Sequence, residues 1–431
     1  MNRKKVITNI CDEFTFKVNS ITDEEKNLRK KKLLKEKNKL IKTINSGSKL
    51  DKIGVINVDV GANIETLVMK ARGWITNELL CITTNGVDET KNFGIDLFKM
   101  NHLLHNNYNN SILLQVNDDL PNNIINSIYG VTQQALLLNV TTQARNHSPY
   151  SRDRSYSNHL AQYPFEIAEA AGLPPYCVYE ITGNDMNKAF LDDFKELFSG
   201  AGYTVHLKLF DPYDYGYNIK YSRYMAVCIS NSIKLEYNKF SFDNLIRMVY
   251  HPISTFAPKK IERRFYVSPE YKVDIDKRGK SFSGNFPNEP LDYYELETGY
   301  IGFNMGYCWF ILERDTGLYR LPTPEELCVL MGFPHKVGEL FTSIFSDTSV
   351  YNAAATSPLF GLLDQIYQML FLPIVKSNGR LQQENIDDIM QEINCSDRYK
   401  DYATSVYKEY MCPPKKIYAG EFYQQNKNRL F

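Results

Sequence analysis

The side chains best suited to chemistry stand where apolar runs of the sequence give way to polar ones. Residues 174–183 read as a strand that ends in an acid, Glu180, and residues 135–146 read as an apolar strand that enters a polar loop at Thr142 and Gln143. Because α/β sheets display reactive groups at the carboxyl ends of their strands, Glu180 is placed for general acid or base catalysis. An ordinary surface acid is the other interpretation of this position.

A glycine turn marks a second place where chemistry is expected. Residues 52–60 read as a short buried strand, Gly61 and Ala62 turn the chain, and a helix over 64–72 follows, closed by Gly73. In doubly wound folds, nucleotide-like cofactors meet a helix N-terminus after such a turn. A single glycine turn is compatible with a cofactor site without requiring one.

The elements around these positions alternate between helices and strands. Residues 190–200 carry apolar side chains at helical spacing and stop at a Gly-Ala-Gly sequence, and residues 203–209 then alternate like a half-buried strand. A polar corner at 211–216 breaks that strand, and residues 224–229 resume as an apolar one. This alternation predicts an α/β fold.

Composition narrows the class of protein. The chain has 431 residues, 43% of them hydrophobic, which supports two domains or one large domain with an insertion. Lys+Arg and Asp+Glu number 50 each, so any nucleic-acid binding has to come from local patches. The eight cysteines form no CxxC pair, and no apolar run reaches the roughly 18 residues of a membrane span. We therefore expect no metal, no membrane association, and a cytoplasmic or nucleic-acid-associated intracellular location.

Two segments concentrate basic residues. From Thr22, a plausible N-cap, the Lys-rich N-terminal arm reads as a helix, either solvated on the surface or acting as a basic tether to a phosphate backbone. Residues 235–312 interleave aromatic and basic side chains, a pattern that suits nucleic-acid contact but also a small β-rich domain. The candidate DNA-binding residues of this second segment are Lys259, Lys260, Arg263, Arg264, Lys277, Arg278 and Lys280.

The residue patterns of several segments, taken in their order along the chain, resemble those of the cytosine-C5 DNA methyltransferases. Gly202-Tyr203, Asp214-Tyr215-Gly216 and Arg223 fit one motif of that family, and residues 320–334 resemble another, a helix capped at Thr323. The resemblance implies an S-adenosylmethionine-dependent methyltransferase core, Rossmann-like, with a small inserted recognition domain. It also implies double-stranded DNA as a partner and S-adenosylmethionine as a possible cofactor.

The resemblance assigns roles to individual residues over about 55–372. The cofactor would be held by Gly61, Ala62, Glu89 and Asn352, and the base by Glu180 and Arg223. Gln143 aligns with the glutamine that follows the family's nucleophilic cysteine, which puts Thr142 in the nucleophile's place. A hydroxyl pKa lies far above the roughly 8.5 of a thiol, so Thr142 leaves essentially no alkoxide at pH 7 without an adjacent base. The family pattern is also replaced at Asn63, Ile64, Ile181, Ile219 and Tyr221.

The sequence predicts five segments and leaves the reaction open. They are a basic helical arm (1–50), a methyltransferase-like core (51–235), a target-recognition domain (236–312), a segment completing the core (313–375) and a polar helical tail (376–431). One hypothesis is a divergent DNA cytosine-C5 methyltransferase homologue that flips a base and has a degenerate active site. The others are a catalytically inactive DNA-binding or regulatory subunit that partners an active enzyme, and an altered nucleobase modification with Thr142 in a non-covalent role.

Overall fold

The chain forms two compact units. The computed structural model describes residues 22–85, 93–105, 110–115, 120–142, 161–181, 188–217, 219–220, 223–247, 261–266, 294–295, 311–313, 318–397 and 399–400. The first unit comprises Met1–Leu209, Arg223–Leu245 and Phe360–Ile389, and the second comprises Phe210–Ser222, Ile246–Leu359 and Met390–Phe431. The five predicted segment boundaries stay predictions.

Eleven strands lie in the described residues. In chain order they are β1 (Ile53–Val58), β2 (Thr76–Asn85), β3 (Ser111–Gln115), β4 (Leu137–Thr142), β5 (Tyr176–Ile181), β6 (Tyr203–Phe210), β7 (Ile219–Lys220), β8 (Arg223–Ser230), β9 (Tyr294–Glu295), β10 (Ile311–Glu313) and β11 (Leu318–Arg320). The first unit holds a seven-stranded sheet of order β3-β2-β1-β4-β5-β8-β6. Its first five strands pair in parallel, and β8 runs antiparallel to β5.

The described residues also form eleven α-helices. They are α1 (Asp23–Asn45), α2 (Ile64–Ala71), α3 (Phe93–His105), α4 (Leu120–Tyr129), α5 (Gln162–Ala170), α6 (Lys188–Gly200), α7 (Pro324–Leu330), α8 (His335–Ile344), α9 (Asp347–Thr356), α10 (Phe360–Phe371) and α11 (Gln382–Cys395). None of these helices is both long enough and apolar enough to span a bilayer. Helices between successive parallel strands confirm the predicted α/β fold.

Side chains of successive strand residues pack on opposite faces of the sheet. On β5, Tyr179 contacts Phe194 and Phe198 of α6, whereas Tyr176 contacts Phe371 of α10. Cys177 shares the α6 side with Tyr179, as the twofold repeat of a strand requires. One face of the sheet is therefore an aromatic and aliphatic core, and the other carries the polar side chains described below.

The parallel strands give the sheet two different edges. We call the carboxyl edge the side where β1, β2, β4 and β5 end, and the amino edge the side where they begin. Helix α1 lies at the amino edge, where Arg29 donates hydrogen bonds to the carbonyls of Ile128, Val131 and Ala170 at 2.6–2.7 Å. These carbonyls stand at the C-terminal ends of α4 and α5, where backbone oxygens lack helical partners.

Packing anchors the N-terminal helix along its whole length. Its capping box, formed by Thr22 and Glu25, confirms the predicted N-cap. On one face of the helix, the side chains of Leu33, Ile41 and Ile44 are buried. The sequence left a surface helix or a tether open. The structure shows a helix with one buried face and a lysine-rich exposed face.

The second unit contains the capped helix predicted at residue 323. The Thr323 side chain accepts from the Glu326 amide, and the Glu326 carboxylate accepts from the Thr323 amide, which is the predicted capping box. Arg320 adds two hydrogen bonds to the same carboxylate at 2.7 and 2.8 Å, with both side chains buried. The predicted motif over 320–334 therefore folds as a strand end, a cap and a helix held by one ion pair.

Candidate active site

A buried ion pair stands at the carboxyl edge. Glu180 is the penultimate residue of β5, and Arg223 begins β8, its antiparallel neighbour. Nη1 of Arg223 donates to Oε1 of Glu180, and the two side chains are only 3% and 5% exposed. The attraction between two buried charges of opposite sign offsets part of their desolvation cost, so the loss of one partner leaves the other charge uncompensated and strongly destabilising.

The strand end assigned to the nucleophile lies beside this pair. β4 pairs in register with β5, so that Thr141 lies opposite Glu180 and Thr142 opposite Ile181. The Thr142 backbone therefore ends the strand adjacent to the Glu180–Arg223 pair. Gln143 lies outside the described residues.

The described cysteines do not supply a thiol at this edge. In the first unit, Cys81 lies within β2, and Cys177 and Cys228 pair with each other in register near the amino edge. Burial raises the pKa of Cys177 to about 12, which leaves it a thiol at neutral pH. Because it also faces α6, away from Glu180, it cannot replace a nucleophile beside Thr142.

The turn after β1 has an unusual backbone. Asp59, Gly61 and Asn63 all have positive φ, of 54°, 61° and 59°. Asn63 caps α2 by accepting the Thr66 amide, and asparagine tolerates the left-handed region better than most residues. The turn therefore keeps the conformation that glycine would allow, although Asn63 stands at the family's second glycine site.

The Asn63 side chain points into a buried polar cluster beneath α2. Its amide nitrogen donates to Glu78 Oε1 at 2.6 Å and to Asn101 Oδ1 at 2.9 Å. Asn57 donates to the same Glu78 oxygen at 2.6 Å, and Asn139 donates to Asn57 at 2.9 Å. The Asn63 side chain therefore fills the interior and completes a hydrogen-bond network.

Burial governs the ionisation of the acid in this cluster. Glu78 is 5% exposed, and desolvation raises its pKa, while the amides of Asn57 and Asn63 partly oppose the rise. The network continues through Asn139 to the Tyr367 hydroxyl of α10, which donates to Asn139 Oδ1 at 2.9 Å. Sequence reasoning missed these residues, because their polar types on apolar elements acquire meaning only when the elements pack.

Glu65 is a further acid that sequence reasoning missed. It is the second residue of α2, directly after the turn, and it is only 3% exposed. Its Oε2 has no hydrogen-bond partner within the described part of the chain. Desolvation raises its pKa well above the ordinary range, and the nearby carboxylates of Glu180 and Glu78 raise it further. Its place immediately after the glycine turn was the available signal.

The remaining predicted cofactor residues have different positions. Gly61 and Ala62 form the turn itself, and Ala62 is fully buried. Glu89 lies outside the described residues. Asn352 belongs to the second unit, where it is buried in α9 and its Nδ2 donates to the Thr348 carbonyl at 2.8 Å.

The candidate DNA-binding residues are described only in part. Lys259, Lys260, Lys277, Arg278 and Lys280 lie outside the described residues, whereas Arg263 and Arg264 are exposed in the second unit. Arg264 forms ion pairs with Glu262 and Asp347. Its charge is thus already compensated, which reduces what it can offer a phosphate.

Comparison with known proteins supports the fold. No family model matches the chain, and no curated protein sequence matches it. The S. pombe Dnmt2 methyltransferase matches with a TM-score of 0.50 at 13% identity, covering 75% of this chain and 99% of that one. The Entamoeba histolytica methyltransferase EhMeth matches with a TM-score of 0.48 at 14% identity, covering 75% and 98%. Together with the sheet order, the first of these matches confirms the predicted Rossmann-like α/β fold, which the chain has in common with that methyltransferase.

Proposed function

We propose that the protein is a divergent nucleic-acid methyltransferase homologue that binds a flipped pyrimidine at the Glu180–Arg223 pair. The buried pair at the carboxyl edge carries this proposal. A carboxylate accepts a hydrogen bond from a base amino group, and a guanidinium donates to a base carbonyl, so the two together complement the edge of cytosine. Support also comes from the fold that the chain has in common with the S. pombe Dnmt2 methyltransferase.

The turn after β1 fits the methionine portion of S-adenosylmethionine. Its left-handed backbone is retained at Asn63, and the side chain of that residue is directed into the protein interior. When bound, S-adenosylmethionine supplies an electrophilic methyl group. The turn would position that group, while Glu89 and Asn352 stay predicted contacts.

The chain's own residues do not support the covalent cysteine route. That route needs a thiolate to attack C6 of cytosine, and the sequence offers a Thr142 hydroxyl in its place. We infer that the protein binds the base and the cofactor without forming a cysteine adduct. Its degenerate site suits recognition or a changed modification better than the usual C5 transfer.

A methyl-transfer assay tests the proposal. The full chain is incubated with labelled S-adenosylmethionine and either duplex DNA or structured RNA, beside Thr142→Cys. We expect the unmodified chain to bind nucleic acid with negligible transfer of label, and Thr142→Cys to transfer measurably more. Serine at 142 is the matched control, because it removes a methyl group and keeps a hydroxyl. Robust covalent transfer by the unmodified chain would contradict the proposal.

A second candidate is a regulatory subunit that binds nucleic acid and no cofactor. The hydrogen-bonded cluster around Asn63 favours it, since the network stabilises the turn without a ligand. Calorimetric titration with S-adenosylmethionine separates the two. Absence of heat, both with and without nucleic acid, would favour this second function over the first.

A further inference from the structure

Glu65 has no compensating charge in the described part of the first unit. Glu180 is paired with Arg223, and Glu78 accepts from two asparagine amides and is also stabilised by the nearby charge of Lys70. Glu65 is stabilised only by its own backbone amide. A carboxylate that is 97% buried and has no neighbouring cation among the described residues is costly to ionise, so these surroundings favour its neutral form.

The position of Glu65 specifies which kind of ligand would supply the charge. It begins the helix after the cofactor turn, and it interacts electrostatically with Glu180 at the base site and with Tyr367 of α10. In any methyl transfer the donor's methyl group has to face the base, and the sulfonium that carries it lies one bond away. A group close to both the turn and Glu180 is therefore on the sulfonium side of the cofactor.

We propose that Glu65 is the counter-charge for the sulfonium of S-adenosylmethionine, and that it lets this chain distinguish the charged methyl donor from the neutral thioether product. This inference rests on the proposed function, because it presumes cofactor binding at the turn after β1. Ligand binding then ionises Glu65: its proton goes to solvent as the sulfonium enters, and no other bond changes. S-adenosylhomocysteine has no sulfonium, so it leaves the Glu65 proton in place.

The charged surroundings define the expected pH dependence. The ionisable groups described around Glu65 are Glu78 and Cys81 on β2, Glu180 on β5 with its partner Arg223 on β8, Tyr367 on α10, and Lys70 on the same helix. The two neighbouring acids both oppose a further negative charge at Glu65. Affinity for S-adenosylmethionine should therefore rise with pH until the raised pKa of Glu65 is passed, while affinity for S-adenosylhomocysteine stays nearly flat.

Isothermal titration calorimetry of the full chain in two buffers of different ionisation enthalpy measures both affinity and proton release. For the unmodified protein we expect S-adenosylmethionine to bind about tenfold more tightly than S-adenosylhomocysteine, which corresponds to one pKa unit of linkage, with release of up to about one proton. Glu65→Gln should abolish that release and weaken only S-adenosylmethionine. Glu24→Gln is the matched control, since Glu24 is an exposed acid in the first turn of α1.

The outcomes separate this inference from the proposed function. If the unmodified protein binds both ligands equally and releases no proton, the inference is wrong although cofactor binding stands. The same holds if Glu65→Gln keeps the preference and the proton release. If the unmodified protein binds neither ligand, cofactor binding itself is wrong, and the inference fails with it. The measurements on the unmodified protein decide the matter even if Glu65→Gln fails to fold.

Discussion

The two edges of the same sheet differ in whether their buried polar groups have compensating partners. At the amino edge, Arg29 saturates three backbone carbonyls, and Arg72 of the α2 C-terminus is paired with Asp364. At the carboxyl edge, Glu180 is paired, but Glu65 has no cationic partner among the residues that the structure describes. The paired groups at the amino edge stabilise the folded chain. At the carboxyl edge, the buried Glu65 carboxyl retains a desolvation cost that a cationic ligand can offset.

This difference is what a ligand-binding edge requires. A site whose groups are all satisfied gains little from a ligand, whereas an acid without a compensating cation gains its interaction with an incoming cation, less the cost of ionising the acid. The comparison therefore predicts changes in folding stability of opposite sign. Removing a polar group at the amino edge should destabilise the protein, whereas removing the carboxyl group of Glu65 at the carboxyl edge should stabilise it.

The largest effect is expected from Arg29→Met. Three carbonyls at the ends of α4 and α5 would lose their donor, and α1 would lose its central anchor, at a cost of about 4 kcal/mol. Urea unfolding followed by circular dichroism measures the loss. Lys32→Met is the matched control, because Lys32 is exposed on the same helix. Equal stability of the two variants would contradict the anchoring role of Arg29.

Arg223→Met should have the second-largest effect. We expect it to lower the free energy of unfolding by about 3 kcal/mol, because it leaves the buried Glu180 carboxylate without its cation. The same unfolding experiment applies. Adding Glu180→Gln to this variant removes the orphaned charge, so the double variant should recover part of the loss. A double variant less stable than either single change would show that the pair contributes more than mutual compensation.

Asn63→Gly tests whether the turn is held by its backbone or by its side chain. Glycine relieves about 1 kcal/mol of left-handed strain. It also deprives Glu78 and Asn101 of buried partners, and we expect a net loss of about 2 kcal/mol. Asn63→Asp is the control that keeps the cap acceptor and removes the two donated hydrogen bonds. Unchanged or increased stability of the glycine variant would contradict the side chain's role in the network.

Glu65→Gln should have the smallest effect and the opposite sign. The pKa of Glu65 is raised above its ordinary value of 4.5, so the folded state binds its proton more tightly than the unfolded state. Its contribution to stability is therefore lost as pH rises from about 4.5 through the folded pKa. The glutamine variant lacks this loss. Thermal melts of both proteins between pH 5 and 9 should diverge in favour of the variant, and parallel curves would count against an uncompensated Glu65.

Several elements of both units were predictable, because their signals are local. The alternating residues of β6 and the glycine stop after α6 in the first unit, and the capping box at Thr323 in the second, each lie within a few neighbouring positions. The order of the motifs along the chain also predicted the fold, and the family resemblance assigned Glu180 and Arg223 to one site. Those two residues are 43 positions apart in the chain, and only the antiparallel pairing of β5 with β8 joins them.

The residues that sequence reasoning missed depend on longer-range packing. Arg29 lies in a lysine-rich run, and nothing local separates it from its exposed neighbours. Its carbonyl partners are 99 to 141 residues away. Glu65 resembles an ordinary acid in the first turn of a helix, which is usually solvated. Glu65 is buried because β2, β5 and α10 pack around it.

The sequence by itself determined the order of the elements and the turn after β1. These follow from residue type and short spacing, which act within one helix or strand. Tertiary structure alone decided which polar groups are compensated, because desolvation and pairing depend on what packs against a side chain. Arg29 and Glu65 are both charged residues on helices. Arg29 donates to three backbone carbonyls, whereas the charged neighbours of Glu65 in the described part of the chain are the acids Glu78 and Glu180.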